Sequence, residues 1–171
     1  MKIAILDDYY QRARDYADWD SASFASIDFI DHHIANENDL VSALQSYDAV
    51  GVMRERTPFP KSLIDALPNL KLIVTSGKQN AAIDVAAAAA KGVTVCGTPS
   101  PGHATAELAF LLVMTLCRKL IPLVNGLKQD HQWQPVMGSD LRGKTLGILG
   151  LGRVGSQVAA LGQAIGMDVV A

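Results

Sequence analysis

The sequence predicts an α/β protein: an open, doubly wound parallel sheet, then a long helix, then the opening of a second strand–turn–helix unit. Three observations predict it. Short β-branched apolar runs alternate with helical segments through residue 97. A Pro/Gly-rich break at Thr98-Pro99-Ser100-Pro101-Gly102 precedes an almost wholly apolar helix. Finally, Gly150-Leu151-Gly152-Arg153-Val154-Gly155 stands between a strand and a helix. Strands and helices alternating at this spacing require crossover connections, which make a sheet parallel.

Residues 3–6, 27–30, 49–53, 72–75 and 93–96 are the strands, apolar on both faces as in a sheet covered on both sides. Helices are expected at 11–17 (weak), 37–45, 61–67 and 83–90. The last closes on Lys91-Gly92, where glycine accepts the left-handed C-terminal conformation. In such a sheet ligands bind beyond the carboxyl ends of the strands. A helix over 103–119 follows, and its apolar circumference predicts packing on two sides, against a core and a second domain or subunit. Pro122 interrupts the pattern, a second helix continues to about 132, and 135–140 form a linker. The expected domains are 1–101, interdomain helices over 102–138, and a second domain opening at 139–171.

Net charge is −2 over 171 residues, 49 % of them apolar and 19 % charged, so no global field favours nucleic acid or anionic lipid. The stretch 106–117 contains Glu107 and covers barely half of the roughly 20 residues a membrane span needs. Cys96 and Cys117, the only cysteines, sit among apolar neighbours and read as buried reduced thiols, hence a cytoplasmic setting. MKIAILDDYY lacks a signal-peptide core.

Residues 145–149 form the strand before the glycines, and 156–165 a helix with Val158, Leu161 and Ile165 on one face. Gly150 permits the tight turn, Gly152 lets backbone approach a pyrophosphate, and Gly155 permits close helix–strand contact. The helix N-terminus attracts negative charge. A dinucleotide, NAD or NADP, is the expected ligand of Gly150, Gly152, Arg153, Val154 and Gly155. The residue that distinguishes the two belongs beyond the strand at 167–171, about 20 residues past the glycines. The sequence stops short of it, so the expectation is a fragment, or a chain completed by another.

Other polar groups are weaker candidates. Asp7-Asp8 suggests a phosphoacceptor receiver, but Asp48 precedes the third strand and Arg54 stands near its end, where the acceptor belongs. His103 and Glu107, four apart, have no third ligand nearby, so no metal is expected. His32-His33 reads as a solvated turn, and His131 near Trp133 has no nameable partner.

Taken together, MKIAILDDYY, VMRERTPFP, LPNLKLIVTSGKQNAAIDVAAAAAKGVTVCGTPS, HATAELAFLL and LRGKTLGILGLGRVG resemble the N-terminal half of the D-2-hydroxyacid dehydrogenase family, in the branch of glyoxylate and phosphoglycerate dehydrogenases. The resemblance implies a flavodoxin-like substrate domain, a Rossmann cofactor domain, a homodimer, and hydride transfer between NAD(P)H and a small 2-hydroxy or 2-keto acid. It places the substrate carboxylate on backbone amides of Ser76-Gly77-Lys78, a turn able to present N–H groups to an anion. Gln79 departs from the branch's Arg, which bears on anion affinity. Arg54-Glu55-Arg56-Thr57 faces the same crevice, and a planar guanidinium matches a carboxylate. Arg54 is the preferred grip; for Arg56 a solvated pair with Glu55 stands equally open. Thr105 matches a cofactor contact, and Glu107 is read as structural. The family's catalytic Arg, Glu and His follow the glycine fingerprint, and no residue here matches them. The chain alone is therefore expected to be inactive. The rival reading is a non-catalytic, NAD(H)-sensing or dimerising regulatory module of the same fold.

Overall fold

Five parallel strands, β1 (Lys2–Ile5), β2 (Ser26–Phe29), β3 (Ala49–Val52), β4 (Leu72–Thr75) and β5 (Thr94–Gly97), form one sheet in the order β2-β1-β3-β4-β5. The computed structural model describes residues 1–100, 102–129 and 131–171. Its chain divides into two units, Met1–Ser100 and residues 101–171. Pro101, at the expected domain boundary, lies outside the described residues.

In the first unit the strand order reverses between β1 and β3, which pair with Ile3 opposite Ala49. Such a switch point opens a crevice at the carboxyl edge. Helices α1 (Glu37–Leu44), α2 (Lys61–Ala66) and α3 (Val85–Ala90) follow β2, β3 and β4. Asn36 caps α1, its Oδ1 accepting from the Asn38 amide at 2.9 Å, and Asp84 caps α3 through the Ala87 amide at 2.9 Å. Phe59, Leu44, Leu63, Ile64, Leu67, Ile73 and Val50 fill the core. The Lys91 ammonium closes the C-terminus of α2, donating to the carbonyls of Ile64, Asp65 and Leu67.

Two expectations for this unit need correction. Residues 11–17 do not form an α-helix; short 3-10 helices run Ala13–Tyr16 and Trp19–Ser21. The Asp8 carboxylate accepts from the Arg12 and Ala13 amides, and Gln11 is left-handed at φ +53°, so side-chain capping displaces regular helix. Burial on both faces holds only at the sheet's centre: β2 and β5 are edges with no buried residue. Cys96 is consequently exposed, because Val95 turns to the core and its neighbour turns away, while Cys117 is half-buried. Both thiols are free.

The second unit contains α4 (His103–Cys117), α5 (Leu120–Gln129), β6 (Thr145–Gly147), α6 (Arg153–Ala164) and β7 (Asp168–Val170). The break between α4 and α5 falls at Lys119, at φ +57°, rather than at Pro122. Pro122 lies in the first turn of α5, where its missing N–H has no helical partner to lose. The expected end near 132 passes through Asp130, outside the described residues. β6 and β7 pair in parallel, Leu146 opposite Val169. Helix α6 buries Ala159 and Gly162, not the expected Leu161. A Cβ at Gly162 would stand 2.7 Å from Leu146 Cδ2, so the helix meets its strand through small residues. Nor is α4 covered on two sides within the unit. It buries Ala106 and Phe110, and Leu108, Leu111, Leu112 and Leu116 are exposed. Among the described residues no helix is long and apolar enough to cross a membrane.

Candidate functional site

At the carboxyl edge of the first sheet, the chain leaves β3 and turns back at Arg54, which is left-handed at φ +54°. A side chain there costs energy that neighbouring contacts must offset. They are present. The Arg54 amide donates to Ser76 Oγ at 3.0 Å, and Asn80 Nδ2 donates to the Arg54 carbonyl at 2.6 Å and to Thr75 Oγ1 at 3.0 Å. Asn80 Oδ1 accepts from the Ala82 amide at 2.9 Å, so one buried amide ties three segments together. The Arg54 guanidinium lies against Gly77, at φ +106°, where any Cβ would overlap it. Among the described residues its one hydrogen bond is a long 3.5 Å contact from Nη1 to the Ser76 carbonyl, leaving its other N–H donors for a ligand.

The loop's amides are not equivalent. Ser76 N–H donates to the Val52 carbonyl, extending the sheet, and Gly77 N–H donates to Thr98 Oγ1 at 3.0 Å. Of Ser76, Gly77 and Lys78, only Lys78 keeps an amide with no partner among the described residues. A cleft of about 650 Å³ opens here, lined by Glu55, Lys78, Gln79, Asn80 and Gly97 among others. Gly97 has to be glycine, since a Cβ would meet the Lys78 carbonyl at 2.6 Å.

Arg56 departs from Arg54. Its Nη1 donates to the Asp7 carbonyl at 3.1 Å and its guanidinium stacks 4.7 Å from the Tyr9 ring, facing a second cleft. Desolvation, then the hydrogen bond to Asp7, push the Tyr9 phenol above its ordinary value.

In the second unit Gly150 is left-handed at φ +95°, as the tight turn requires, and Gly152 is the extended N-cap of α6 with no side-chain cap. A Cβ at Gly150 or Gly152 would meet nothing within 4 Å, whereas one at Gly155 would overlap the Gly150 carbonyl. The turn thus presents open backbone and uncapped helix amides along one side, a cradle that fits a pyrophosphate. Arg153 and Val154 form the first helical residues, exposed and half-buried.

Thr105 is exposed in the first turn of α4. His103 Nδ1 lies 2.8 Å from Gln157 Oε1 on α6, and with Glu107 lines a cleft of about 320 Å³. His33, read as solvated, instead reaches Asp7 Oδ1 at 3.3 Å. His32 meets Asp31 at 3.1 Å. No group of three metal-ligating side chains gathers among the described residues. Asn80 and Thr98 escaped the sequence reading because neither carries a motif; only folding brings them to the loop.

Residues 110–171 match the model of the D-isomer specific 2-hydroxyacid dehydrogenase, NAD binding domain. D-3-phosphoglycerate dehydrogenase of Rattus norvegicus is 37 % identical over 138 residues, 79 % of this chain and 26 % of the relative. The enzyme of that name from Archaeoglobus fulgidus is 36 % identical over 139 residues, 80 % and 26 %. A crystal structure of phosphoglycerate oxidoreductase from Vibrio cholerae superposes with TM-score 0.90 at 35 % identity, covering 99 % of this chain and 55 % of that one. The chain thus spans about a quarter of the curated relatives and about half of the solved one. The matched model is that of an NAD binding domain, which supports NAD(H) as the cofactor. Residues 110–171 thus match the NAD binding domain of the D-isomer specific 2-hydroxyacid dehydrogenases, and the parallel α/β architecture and glycine cradle of this chain agree with that match.

Proposed function

We propose that this chain supplies one wall of the substrate site and the first turn of the cofactor site in an NAD-dependent oxidoreductase acting on small 2-hydroxy or 2-keto acids. Residues 1–101 are its substrate domain, 102–138 its connecting helices and 139–171 the opening of its dinucleotide domain. The observation that carries the substrate assignment is Arg54 lying against Gly77 with most of its donors unspent, beside the unspent amide of Lys78. Together they offer a carboxylate a planar guanidinium and a backbone N–H. Ser76 and Gly77 shape the turn, and Gly150, Gly152, Arg153, Val154 and Gly155, with Thr105 nearby in sequence to the helix start, receive the dinucleotide. When bound, NAD(H) supplies or accepts the hydride.

The acid–base Arg, Glu and His implied by the family have no counterpart in these residues. Purified chain given NADH with glyoxylate or hydroxypyruvate should therefore show no oxidation of NADH while glyoxylate shifts the Lys78 amide resonance. Turnover overturns the first claim, and an unmoved Lys78 overturns the second. A homodimer is part of the proposal: α4 exposes Leu108, Leu111, Leu112 and Leu116, a surface suited to a second copy. The same surface favours the dimerising regulatory module as the alternative. Sedimentation as a monomer of 18.2 kDa overturns both forms of dimer. Free Cys96 and Cys117 support a reducing, cytoplasmic setting.

A further inference from the structure

Resting on that reading of the Arg54 loop, we propose that Asp7 is a positioning residue, which through Tyr9 and Thr57 aims the Arg56 guanidinium at a second anionic group of the acid. Asp7 leaves β1 in a left-handed turn, φ +60°, and is only 3 % exposed. Its Oδ2 accepts from Thr57 Oγ1 at 2.8 Å and its Oδ1 from the Tyr9 hydroxyl at 3.0 Å, with His33 Nδ1 at 3.3 Å. No Lys or Arg side chain pairs with this carboxylate among the described residues. Burying it costs desolvation that apolar packing would avoid, so stability alone is a poor reason for it.

What the arrangement holds is Arg56. One guanidinium N–H donates to the Asp7 carbonyl, and the plane rests on the Tyr9 ring that Asp7 itself fixes. The other donors face a cleft of about 340 Å³ at the β1/β3 switch point, lined by Asp7, Tyr9, Tyr10, Met53 and Arg56 among others. This is where doubly wound sheets take ligands. Competing charges beside it are spent: the Asp8 carboxylate accepts from two amides, and Arg12 pairs with Asp15. Met53 joins the two grips, lining this cleft while its Sδ accepts from Ser76 Oγ at 3.2 Å. An acid carrying its carboxylate at Arg54 and Lys78 would extend its other end past Met53 to Arg56.

The test titrates the chain with D-glycerate and with D-3-phosphoglycerate, which differ by one phosphate, reading the Lys78 amide and the Arg56 Nε–Hε resonances. Phosphoglycerate should bind about tenfold more tightly, as one charge-assisted guanidinium contact allows, and should alone move the Arg56 signal. Asp7→Ala and Tyr9→Leu should abolish that preference and leave glycerate affinity unchanged. Asp7→Asn, which keeps an acceptor oxygen and tolerates the left-handed turn, should restore most of it. Tyr9 is 42 % exposed, so its substitution tests the idea even where Asp7→Ala fails to fold. A preference unchanged in the variants, or an equal loss for both acids, overturns the role of Asp7. If neither acid moves Lys78 in the parent chain, the Arg54 loop reading falls and this inference with it.

Discussion

The turn at 76–78 and the turn at 150–155 both offer backbone to an anion, but they are built by opposite means. The second is local. Its shape follows from three glycines and the start of α6, with local side-chain braces from Ser156 Oγ to the Leu151 carbonyl and from Gln157 Nε2 to the Arg153 carbonyl, each at 3.0 Å. The first is tertiary: Arg54, Thr75, Asn80 and Thr98, from four positions along the edge, hold it through hydrogen bonds that span up to 26 residues. A local turn survives disturbance elsewhere; a tertiary one inherits the stability of the whole sheet.

The largest effect should come from the core under the tertiary turn. Phe59 is fully buried, and Phe59→Ala should cost about 3–5 kcal/mol. Denaturant melts followed at Trp19, with Trp133 replaced by Phe, should shift accordingly, and acid binding at Lys78 should vanish at denaturant concentrations the parent tolerates. Chemical shifts of residues 150–155 should stay as they were. Their collapse together with the first unit would end the distinction between the two turns.

Glycine substitutions sharpen the comparison within each turn. Gly152→Ala meets nothing within 4 Å, so it should leave folding intact while weakening NADH binding about tenfold or more, because the added methyl occupies the pyrophosphate's approach. Gly77→Ala should instead damage fold and site together, since the methyl overlaps Arg54 and a left-handed non-glycine residue costs about 1–2 kcal/mol. Isothermal titration and thermal melts separate the two outcomes. A Gly152→Ala variant that binds NADH like the parent sinks the cradle.

How much of this was legible in the sequence follows the same division. The glycine turn, the five strands and the switch of pattern after residue 97 are local or periodic signals, and each leaves a trace in spacing. Arg54 was legible as a residue near a strand's end, but not its left-handed backbone or its rest on Gly77. Asn80 and Thr98 were invisible, because their role exists only once β4 and β5 lie side by side, Thr75 opposite Gly97. For α4, apolar composition announced more apolar surface than one core takes, but not which face the unit covers: Ala106 and Phe110 are buried, and Leu108 and Leu111 are exposed.

Asn80→Ala should fall next in size. It removes the donor to the Arg54 carbonyl and the acceptor for the Ala82 amide, both near a buried position, for about 1–3 kcal/mol. Acid affinity at Lys78 should fall alongside, because Arg54 loses what offsets its strained backbone; unchanged affinity would make Asn80 a purely structural brace.

The smallest effect lies at the opposite, amino edge of the first sheet, where Asp48 accepts from Lys71 Nζ at 2.7 Å and from the Lys2 amide at 2.8 Å. The Lys71 hydrogen bond first, and the Lys2 amide second, hold its carboxyl below the ordinary range. A carboxylate whose folded value is depressed stabilises the fold above its unfolded value, about 3.9, and loses that contribution as pH falls through the folded one. Asp48→Asn should therefore melt slightly below the parent at neutral pH, and the gap should close as pH drops beneath the carboxylate range. Because the residue sits across the sheet from Arg54 and Lys78, acid affinity should be the same in both proteins at every pH where both are folded. A gap that persists at low pH would assign the effect to the lost side-chain shape instead of its charge.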